Sequence, residues 1–464
     1  MDKQWFNDEV NKIDVPKEEL NIAIQKGIAR AKAEKPVKKI HKKRRIALLT
    51  AASICIGVLG SGFVFPQMTR VLADVPLVGK VYSYFHDSIG QNLSASKLVT
   101  ELNQQAVSNG ISVTMNSVYY DGGRIGITFK VDNPEEVFMK NNSGRDFYYD
   151  FKLFDGSEKW GRAASFDGKI TKDGWLGNIH IEYPEKELPK NTTLPITITS
   201  IGDTKGIWKF DIPVKQLENK IIHPQVSVSS EDTEHTLNFE KITVGKSSIA
   251  IDYKAMYPLV GENDLARIGK VTDDKGNEID FKTSGIEFGR EKVGNQIQSD
   301  ERSIFGKVPE DAEFIALHPN VRLSEKPSIQ DLNQKTPFEI QSTRSDFKIV
   351  VNSIQHKKQK LILQYTLQNV DTKHISMDEL INRGEVMNLI DSSYLDKEFA
   401  PIGHVIKGSN VKVLDKEKLQ FQATFQLDGE YGVKNFSLKN YVLEVEMSPY
   451  HPEKTLPSVK IPLK

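Results

Sequence analysis

Short runs of alternating apolar and polar residues dominate the chain beyond residue 100, and they predict β-strands. The stretch from Ile111 to Asn133 reads ISVTMNSVYYDGGRIGITFKVDN, which is two alternating segments separated by Asp-Gly-Gly. Alternation with period two places one face of a strand in a core, and Asp-Gly is a hairpin turn signal. This stretch therefore predicts a β-hairpin with one buried face.

The same hairpin pattern occurs three times. Phe347 to Asn369 (FKIVVNSIQHKKQKLILQYTLQN) aligns with the first copy without a gap at an offset of 236 residues. Leu237 to Lys254 (LNFEKITVGKSSIAIDYK) aligns with it at an offset of 124 residues. The apolar positions that coincide, and that should face the cores, are Ile125, Ile127 and Phe129 in the first copy, Ile249, Ile251 and Tyr253 in the second, and Leu361, Leu363 and Tyr365 in the third.

These patterns predict a mainly β body built from about three tandem β-sandwich domains of immunoglobulin-like architecture, at 100–225, 226–335 and 336–464. Their size is usual for such domains. The segments 207–215 (IWKFDIPVK) and 457–464 (PSVKIPLK) resemble each other and predict similar final strands. Helix should be scarce, with candidates only at Ser96 to Val107 and at Met377 to Arg383.

An uncharged apolar stretch of 21 residues, 46–66 (IALLTAASICIGVLGSGFVFP), precedes the β body. As a helix it would extend about 31 Å, enough to cross a hydrocarbon core of about 30 Å. A buried soluble helix and a cleaved signal peptide ending near Ala73 are the alternatives. The stretch is apolar on every face, and the preceding 45 residues are long for a leader, so a single transmembrane helix is favoured.

A basic cluster on the N-terminal side of this stretch indicates its orientation. Residues 1–45 contain 13 basic and 7 acidic side chains, a net charge of +6, whereas the whole chain contains 62 of each sign. Positive flanks remain in the cytoplasm, so 1–45 should be a cytoplasmic head and the C-terminal bulk should be extracellular. The topology-determining residues are Lys38, Lys39, Lys42, Lys43, Arg44 and Arg45.

Apolar residues in the head recur at helical spacing and predict two short amphipathic helices. These helices could pack on each other or on the membrane surface; docking into grooves on a partner protein is favoured, because Trp and Phe are frequent anchors of interfaces. The residues expected to bind the partner are Trp5, Phe6, Val10, Ile13, Leu20, Ile24 and Ile28.

The juxtamembrane segment, 67–99, contains a further set of apolar residues at helical spacing, interrupted at Pro76. Packing on the first external domain is favoured, and burial in the interface of the outer leaflet is the alternative. A loosely held stretch between Pro66 and Gly90 would also be a reasonable place for proteolysis.

The sequence contains no recognisable catalytic or metal-binding motif. One cysteine excludes a disulfide framework and a thiolate zinc site, and neither HExxH, GxSxG nor a complete phosphate loop is present. Gly245-Lys246-Ser247 lacks the upstream glycine of a phosphate loop and lies in a predicted hairpin turn. Three aromatic residues, Trp160, Trp175 and Trp208, could face a glycan, but a core position is favoured for each. The chain is therefore expected to be no enzyme, with no metal, no cofactor and no direct contact with nucleic acid.

The order VPKEELNIAIQKGIARAKAEK, a basic cluster, one span and then FPQMTRVLADVPLVGKVYSYF resembles the Firmicutes anti-sigma-factor family built around domain of unknown function 4179. The middle of the body resembles domain of unknown function 5643. The resemblance implies a head that holds an extracytoplasmic-function sigma factor inactive, and an outer part that senses the envelope. The zinc-binding His-xxx-Cys-xx-Cys of other anti-sigma domains is absent, since the head contains only His41 and no cysteine.

The sequence thus favours a single-pass membrane anti-sigma factor that sequesters an extracytoplasmic-function sigma factor. Its expected partners are that sigma factor and the lipid bilayer, with an envelope ligand and release proteases as further candidates. The alternative is a surface-anchored extracellular binding or structural protein, whose basic head serves only to fix the topology.

Overall fold

The computed structural model describes residues 78–132, 149–154, 156–171, 174–373, 375–397, 400–408, 410–429, 432–433 and 435–464. This part of the chain is mainly β and forms several antiparallel sheets, as predicted. None of the helices within these ranges has the length and apolar character needed to cross a bilayer. The predicted head, 1–45, and the apolar stretch, 46–66, lie outside the described residues.

Four short α-helices occur in the described ranges: α1 (Val78–Tyr84), α2 (Ser88–Ala95), α3 (Glu158–Arg162) and α4 (Met377–Glu385). The first eight strands are β1 (Thr100–Ser108), β2 (Ile111–Asp121), β3 (Arg124–Asp132), β4 (Tyr149–Leu153), β5 (Ala164–Thr171), β6 (Gly174–Glu182), β7 (Asn191–Ile201) and β8 (Thr204–Lys215). They form two facing sheets, in the orders β1-β2-β3-β6-β5 and β4-β7-β8, around one hydrophobic core. We call this unit the first sandwich.

The second group of strands is β9 (Lys220–Ile222), β10 (Val226–Ser229), β11 (Thr236–Val244), β12 (Ile249–Pro258), β13 (Leu265–Asp273), β14 (Phe281–Val293), β15 (Gln296–Phe305), β16 (Phe314–Arg322) and β17 (Ser328–Asp331). The third group is β18 (Phe338–Gln341), β19 (Lys348–Lys357), β20 (Lys360–Gln368), β21 (Asn388–Asp391), β22 (Val405–Lys407), β23 (Asn410–Asp415), β24 (Gln420–Gln426), β25 (Tyr441–Val445), β26 (Lys454–Thr455) and β27 (Val459–Pro462). Two further cores are enclosed by these strands.

The larger sheets of the three sandwiches share one strand order. It is β1-β2-β3-β6-β5 in the first, β10-β11-β12-β15-β14 in the second and β18-β19-β20-β24-β23 in the third. The second and third strands of each order form a central hairpin: β2–β3, β11–β12 and β19–β20. In each of these hairpins the register shifts by one residue at an equivalent position, namely at Asn116, Glu240 and Asn352. These residues are separated by the same offsets of 124 and 236 residues as the sequence repeats. The three hairpins predicted from the alternating pattern are therefore confirmed, and the structure adds a bulge at the same position in each.

The second and third sandwiches exchange their final strands. In the first sandwich β8 completes the smaller sheet by pairing with β7. The strand that follows β16 along the chain, β17, pairs instead with β25 of the third sandwich, whereas β26 and β27 return from the third sandwich and pair with β16. Leu456, Val459 and Ile461 accordingly belong to the core of the second sandwich.

The predicted domain boundaries differ from this arrangement. The third sandwich was expected at 336–464, but its strands run from β17 to β25, and the residues after 450 complete the second sandwich. The second sandwich also begins with β9, inside the predicted first domain, 100–225. The units are therefore not simply tandem, because the third is inserted before the last strands of the second. Alternation predicts that a segment is a strand, but it does not specify the sheet that the strand joins.

Of the two predicted helices, one is wrong and one is confirmed. The segment Ser96 to Val107 contains β1 instead of a helix. Its Leu, Gln and Ala residues favour helices, but pairing with β2 and partial burial of alternate side chains outweigh that weak preference. Met377 to Arg383 lies in α4, which begins with a capping box between Ser376 and Glu379.

Candidate functional site at the N-terminal helices of the β body

The helices α1 and α2 lie on the face of the larger sheet that points away from the core of the first sandwich. We call residues 78–95 the strap. Its side chains Val81, Tyr82, Ile89 and Leu93 are at most 1% exposed. The strap packs on Tyr119 of β2 and on Leu217, which follows β8. The expected packing of the segment 67–99 on the first β domain is thus confirmed for its described part.

The bulge at Asn116 determines which side chains of β2 meet the strap. Before the bulge Met115 faces the core; after it Val118 and Tyr120 face the core. A one-residue shift moves the following side chains to opposite faces of a strand. Ser117 and Tyr119 are for this reason turned toward the strap, where the Tyr82 hydroxyl lies 3.0 Å from Ser117 Oγ.

Asp87 lies at the centre of the contact between the strap and the sheet. Its Oδ1 accepts a hydrogen bond from the Gly90 amide at 3.1 Å and thereby caps the N-terminus of α2. Its Oδ2 accepts a hydrogen bond from the Tyr119 hydroxyl at 2.9 Å and lies 3.1 Å from His180 Nε2. One carboxylate thus joins α2 to two neighbouring parts of the sheet, β2 and β6.

The environment of Asp87 favours its charged form. Burial alone raises the pKa of the carboxyl, but hydrogen bonding to His180, the charges of His180 and Arg124, and the Gly90 amide outweigh burial, so the pKa lies below its ordinary value. Burial and the charge of Asp87 raise the pKa of Tyr119 well above its ordinary value. The tyrosine therefore remains a hydrogen-bond donor to the carboxylate at neutral pH.

A second buried carboxylate, Asp121, joins the first sandwich to the second. It accepts hydrogen bonds from the amides of Lys246 (2.7 Å) and Ser247 (2.8 Å) and from Ser248 Oγ (2.8 Å). We call Asp121 together with the turn 245–248 the joint. The Gly-Lys-Ser motif does form an anion-binding turn, but its anion is a side chain of the same protein. Burial raises the pKa of Asp121 despite these donors.

Arg302 of β15 strengthens the same interface. It is fully buried, and its Nη2 donates to Asp252 Oδ2 at 2.9 Å. The same guanidinium donates to the backbone carbonyls of Tyr183 (3.3 Å), Glu185 (3.2 Å) and Lys186 (2.9 Å) in the first sandwich. A planar group with five donors can satisfy a carboxylate and a loop together.

The second and third sandwiches are joined by a third buried carboxylate, Asp264. Nη1 and Nη2 of Arg344 each donate to it at 2.9 Å, the Ser324 amide donates at 2.8 Å, and His235 Nε2 lies 2.9 Å away. Burial raises the pKa of Asp264, but His235 and Arg344 outweigh that effect and hold it below its ordinary value. Glu325 Oε1 lies 2.8 Å from His451 Nε2. Glu325 belongs to the segment in which the chain passes from the second sandwich to the third, and His451 to the segment in which it returns.

Within the described residues, one group of acidic and histidine side chains has the spacing of metal ligands, and a lysine ammonium already lies against it. Ligand atoms of Asp232, Glu234 and His235 lie within 4.8 Å of one another. The Lys454 ammonium contacts Asp232 and lies 3.7 Å from Glu234. Because the lysine supplies the positive charge that these carboxylates need, we assign the group to ion pairing.

The residues predicted as functional fall in two classes. The partner-binding and topology-determining residues, Trp5 to Ile28 and Lys38 to Arg45, lie outside the described residues. The aromatic residues Trp160, Trp175 and Trp208 are 4%, 0% and 0% exposed, so the predicted core positions are confirmed. Sequence reasoning missed Asp87, Asp121 and Arg302, since most of their partners are distant along the chain. The Asp-Gly-Gly turn was the one local signal near Asp121.

Comparisons with known proteins include partial similarities to a curated protein and to a solved structure. A stretch of 118 residues, 25% of this chain, is 28% identical to a levanase of Bacillus subtilis (strain 168). The match spans only 16% of the length of that levanase. A solved structure described as the conserved domain protein from Bacillus anthracis is 22% identical, with 55% of this chain and 89% of that chain covered and a TM-score of 0.41.

A family match agrees with the resemblance noted in the sequence. The match is to the family described as "Domain of unknown function (DUF4179)" and covers residues 40–133. It begins in the basic cluster and extends through the strap to the end of the first hairpin. The expected resemblance to domain of unknown function 5643 is not shown. Residues 40–133 of this chain thus match the DUF4179 family, in agreement with the expected resemblance.

Proposed function

We propose that the protein is a single-pass membrane anti-sigma factor. In this proposal the head, 1–45, sequesters an extracytoplasmic-function sigma factor in the cytoplasm, and the apolar stretch, 46–66, crosses the cell membrane. The three sandwiches, of immunoglobulin-like architecture, lie outside and respond to the state of the envelope by binding, without catalysis. Inhibition is steric, because the apolar stripes of the head cover a surface that the sigma factor needs.

The observation that best supports this proposal is the attachment of the strap to the first sandwich. The strap follows the apolar stretch within the same DUF4179 region. It is held by Asp87, Tyr119 and Tyr82, all of them nearly inaccessible to solvent. A flexible linker would absorb a displacement of the β body, whereas a packed segment transmits it.

The proposal is tested by capture of partners with the full chain in its native membrane. We expect a sigma factor to co-purify, and we expect Phe6→Ala and Ile24→Asp each to weaken binding by more than about 2 kcal/mol, as at interface anchors. The matched control is Gln25→Asp, which adds the same charge next to Ile24 on the polar side of the predicted stripe. If no sigma factor is retained, or if both variants bind as tightly as the original, the alternative of a surface-anchored binding protein replaces the proposal.

A further inference from the structure

The strap contacts the second sandwich as well as the first. Asn92 of α2 donates a hydrogen bond through Nδ2 to Ser247 Oγ at 3.2 Å. Ser247 also donates its amide to Asp121 at 2.8 Å. A single residue of the turn 245–248 therefore contacts both the strap and the carboxylate that joins the two sandwiches.

A second connection runs through the segment between the sandwiches. Leu217 packs against the cluster formed by Tyr82, Ile89, Leu93 and Tyr119. The preceding residue, Gln216, donates through Nε2 to the carbonyl of Gly122 at 2.8 Å, one residue from Asp121. The segment between the sandwiches is thus fixed to the strap at Leu217 and, at Gln216, to the turn between β2 and β3 that follows Asp121.

The backbone and side chains at the joint are closely packed, so the two sandwiches cannot separate there without a change in neighbouring contacts. A Cβ atom at Gly122 would lie 2.8 Å from Ser248 Oγ, one at Gly245 would lie 2.6 Å from Asp121 Oδ1, and one at Gly123 would lie 3.0 Å from Arg302 Cδ. Interfaces packed at this density shift between discrete arrangements and do not deform continuously. Separation of the two sandwiches would withdraw Ser247 from Asn92 and would pull Leu217 from under the strap.

We propose that the joint and the strap are energetically coupled, so that opening the interface between the first and second sandwiches loosens the strap. The coupling is a property of the β body alone; its use in signalling rests on the proposed function. It would give a binding event on the second or third sandwich a physical route to the segment that follows the apolar stretch. The sharing of Ser247 by Asp121 and Asn92 is the juxtaposition on which the inference depends.

Because energetic coupling is reciprocal, the inference can be tested by a change in the joint and by a change in the strap. Hydrogen exchange of the full chain would be followed in three regions: the strap at 88–95, the turn at 245–248, and β20 of the third sandwich as a reference. Asp121→Asn keeps the shape of the side chain but places an amide group among the donors of the turn. We expect it to accelerate exchange about fivefold or more in both the strap and the turn, with β20 unchanged.

The reciprocal variant, Asn92→Ala, removes only the contact of the strap with Ser247. We expect it to accelerate exchange in the turn as well as in α2. Asp167→Asn, an exposed change on β5, is the matched control and should alter neither region. Ser248→Ala removes one donor to Asp121 and serves as a milder variant if Asp121→Asn prevents folding.

The inference is overturned if the turn loosens in Asp121→Asn or Ser248→Ala while the exchange of the strap stays at its original rate. It is also overturned if Asn92→Ala leaves the turn unaffected. Neither readout involves a sigma factor, so loss of the coupling and loss of the proposed function would be recognised separately.

Discussion

Ile461 of β27 pairs with Ile315 of β16, although the two residues lie on opposite sides of the third sandwich in the sequence. Both side chains are fully buried in the core of the second sandwich. The residues that follow the third sandwich are therefore structural components of the second. This pairing and that of β17 with β25 make the two sandwiches interdependent.

Ile461→Ala should destabilise the second sandwich. Truncation of a buried Ile leaves a cavity and typically costs about 2–5 kcal/mol. We expect a lower midpoint of chemical denaturation and faster hydrogen exchange in β16 than in β20. Ile402→Ala, at a position 77% exposed, is the control and should change stability by less than about 0.5 kcal/mol. Equal loss of protection in β16 and β20 would show instead that the sandwiches unfold as one unit.

Arg344→Ala should weaken the contact between the second and third sandwiches. Without the guanidinium, the buried Asp264 keeps only His235 and the Ser324 amide as partners, and breaking a buried charge pair costs about 3–5 kcal/mol. Denaturant titration should show the loss, and the double variant with Asp264→Asn should recover part of it. Arg162→Ala, which removes an exposed pair with Glu158, should cost less than about 1 kcal/mol. A small effect of Arg344→Ala would mean that water enters and solvates Asp264.

The attachment of the strap should weaken in acid. The pKa of Asp87 is lower in the folded protein than in the unfolded chain, so its ionised form stabilises the attachment above the ordinary value near 3.8. That stabilisation is lost as the pH falls through the lower, folded value. Hydrogen exchange of α2, corrected for the intrinsic rate, should accelerate below about pH 4.

Asp87→Asn should remove this acid dependence while it preserves the helix cap, because Asn is an equally good N-cap residue. The strap of the variant should be looser at neutral pH and should change little with acid. Asp211→Asn, on the exposed side of β8, should retain the original profile. An unchanged profile in Asp87→Asn would assign the acid effect to another group.

Gly126→Ala should disturb the strap through Tyr119. A Cβ atom at residue 126 would lie 2.2 Å from the Tyr119 ring, so the ring must move and lose its hydrogen bond to Asp87. We expect faster exchange in the strap and lower overall stability. Gly161→Ala is the matched control, since its Cβ would meet no atom within 4 Å. If Gly126→Ala leaves the strap protected, Tyr119 is not needed for its attachment.

The local parts of the fold were predictable, and the long-range parts were not. Alternation predicted all three central hairpins, and the ungapped offsets even preserved the bulges at Asn116, Glu240 and Asn352, because these features depend on neighbouring residues. The exchange of final strands was missed, since IPVK and IPLK read alike whichever sheet they join. Asp87, Asp121 and Asp264 were missed for a related reason: apart from the Gly90 amide beside Asp87, the donors that surround them are far away in the sequence.

The reciprocal placement of β17 and β27 limits how this protein can be divided for experiments. A recombinant piece that stops near residue 335 would leave one side of β16 without a partner, and an exposed strand edge invites aggregation. A piece limited to 336–464 would lack β17 and would contain two strands with no sheet to join. Ligand screens on the second and third sandwiches should therefore use a single polypeptide that includes everything from β9 through β27.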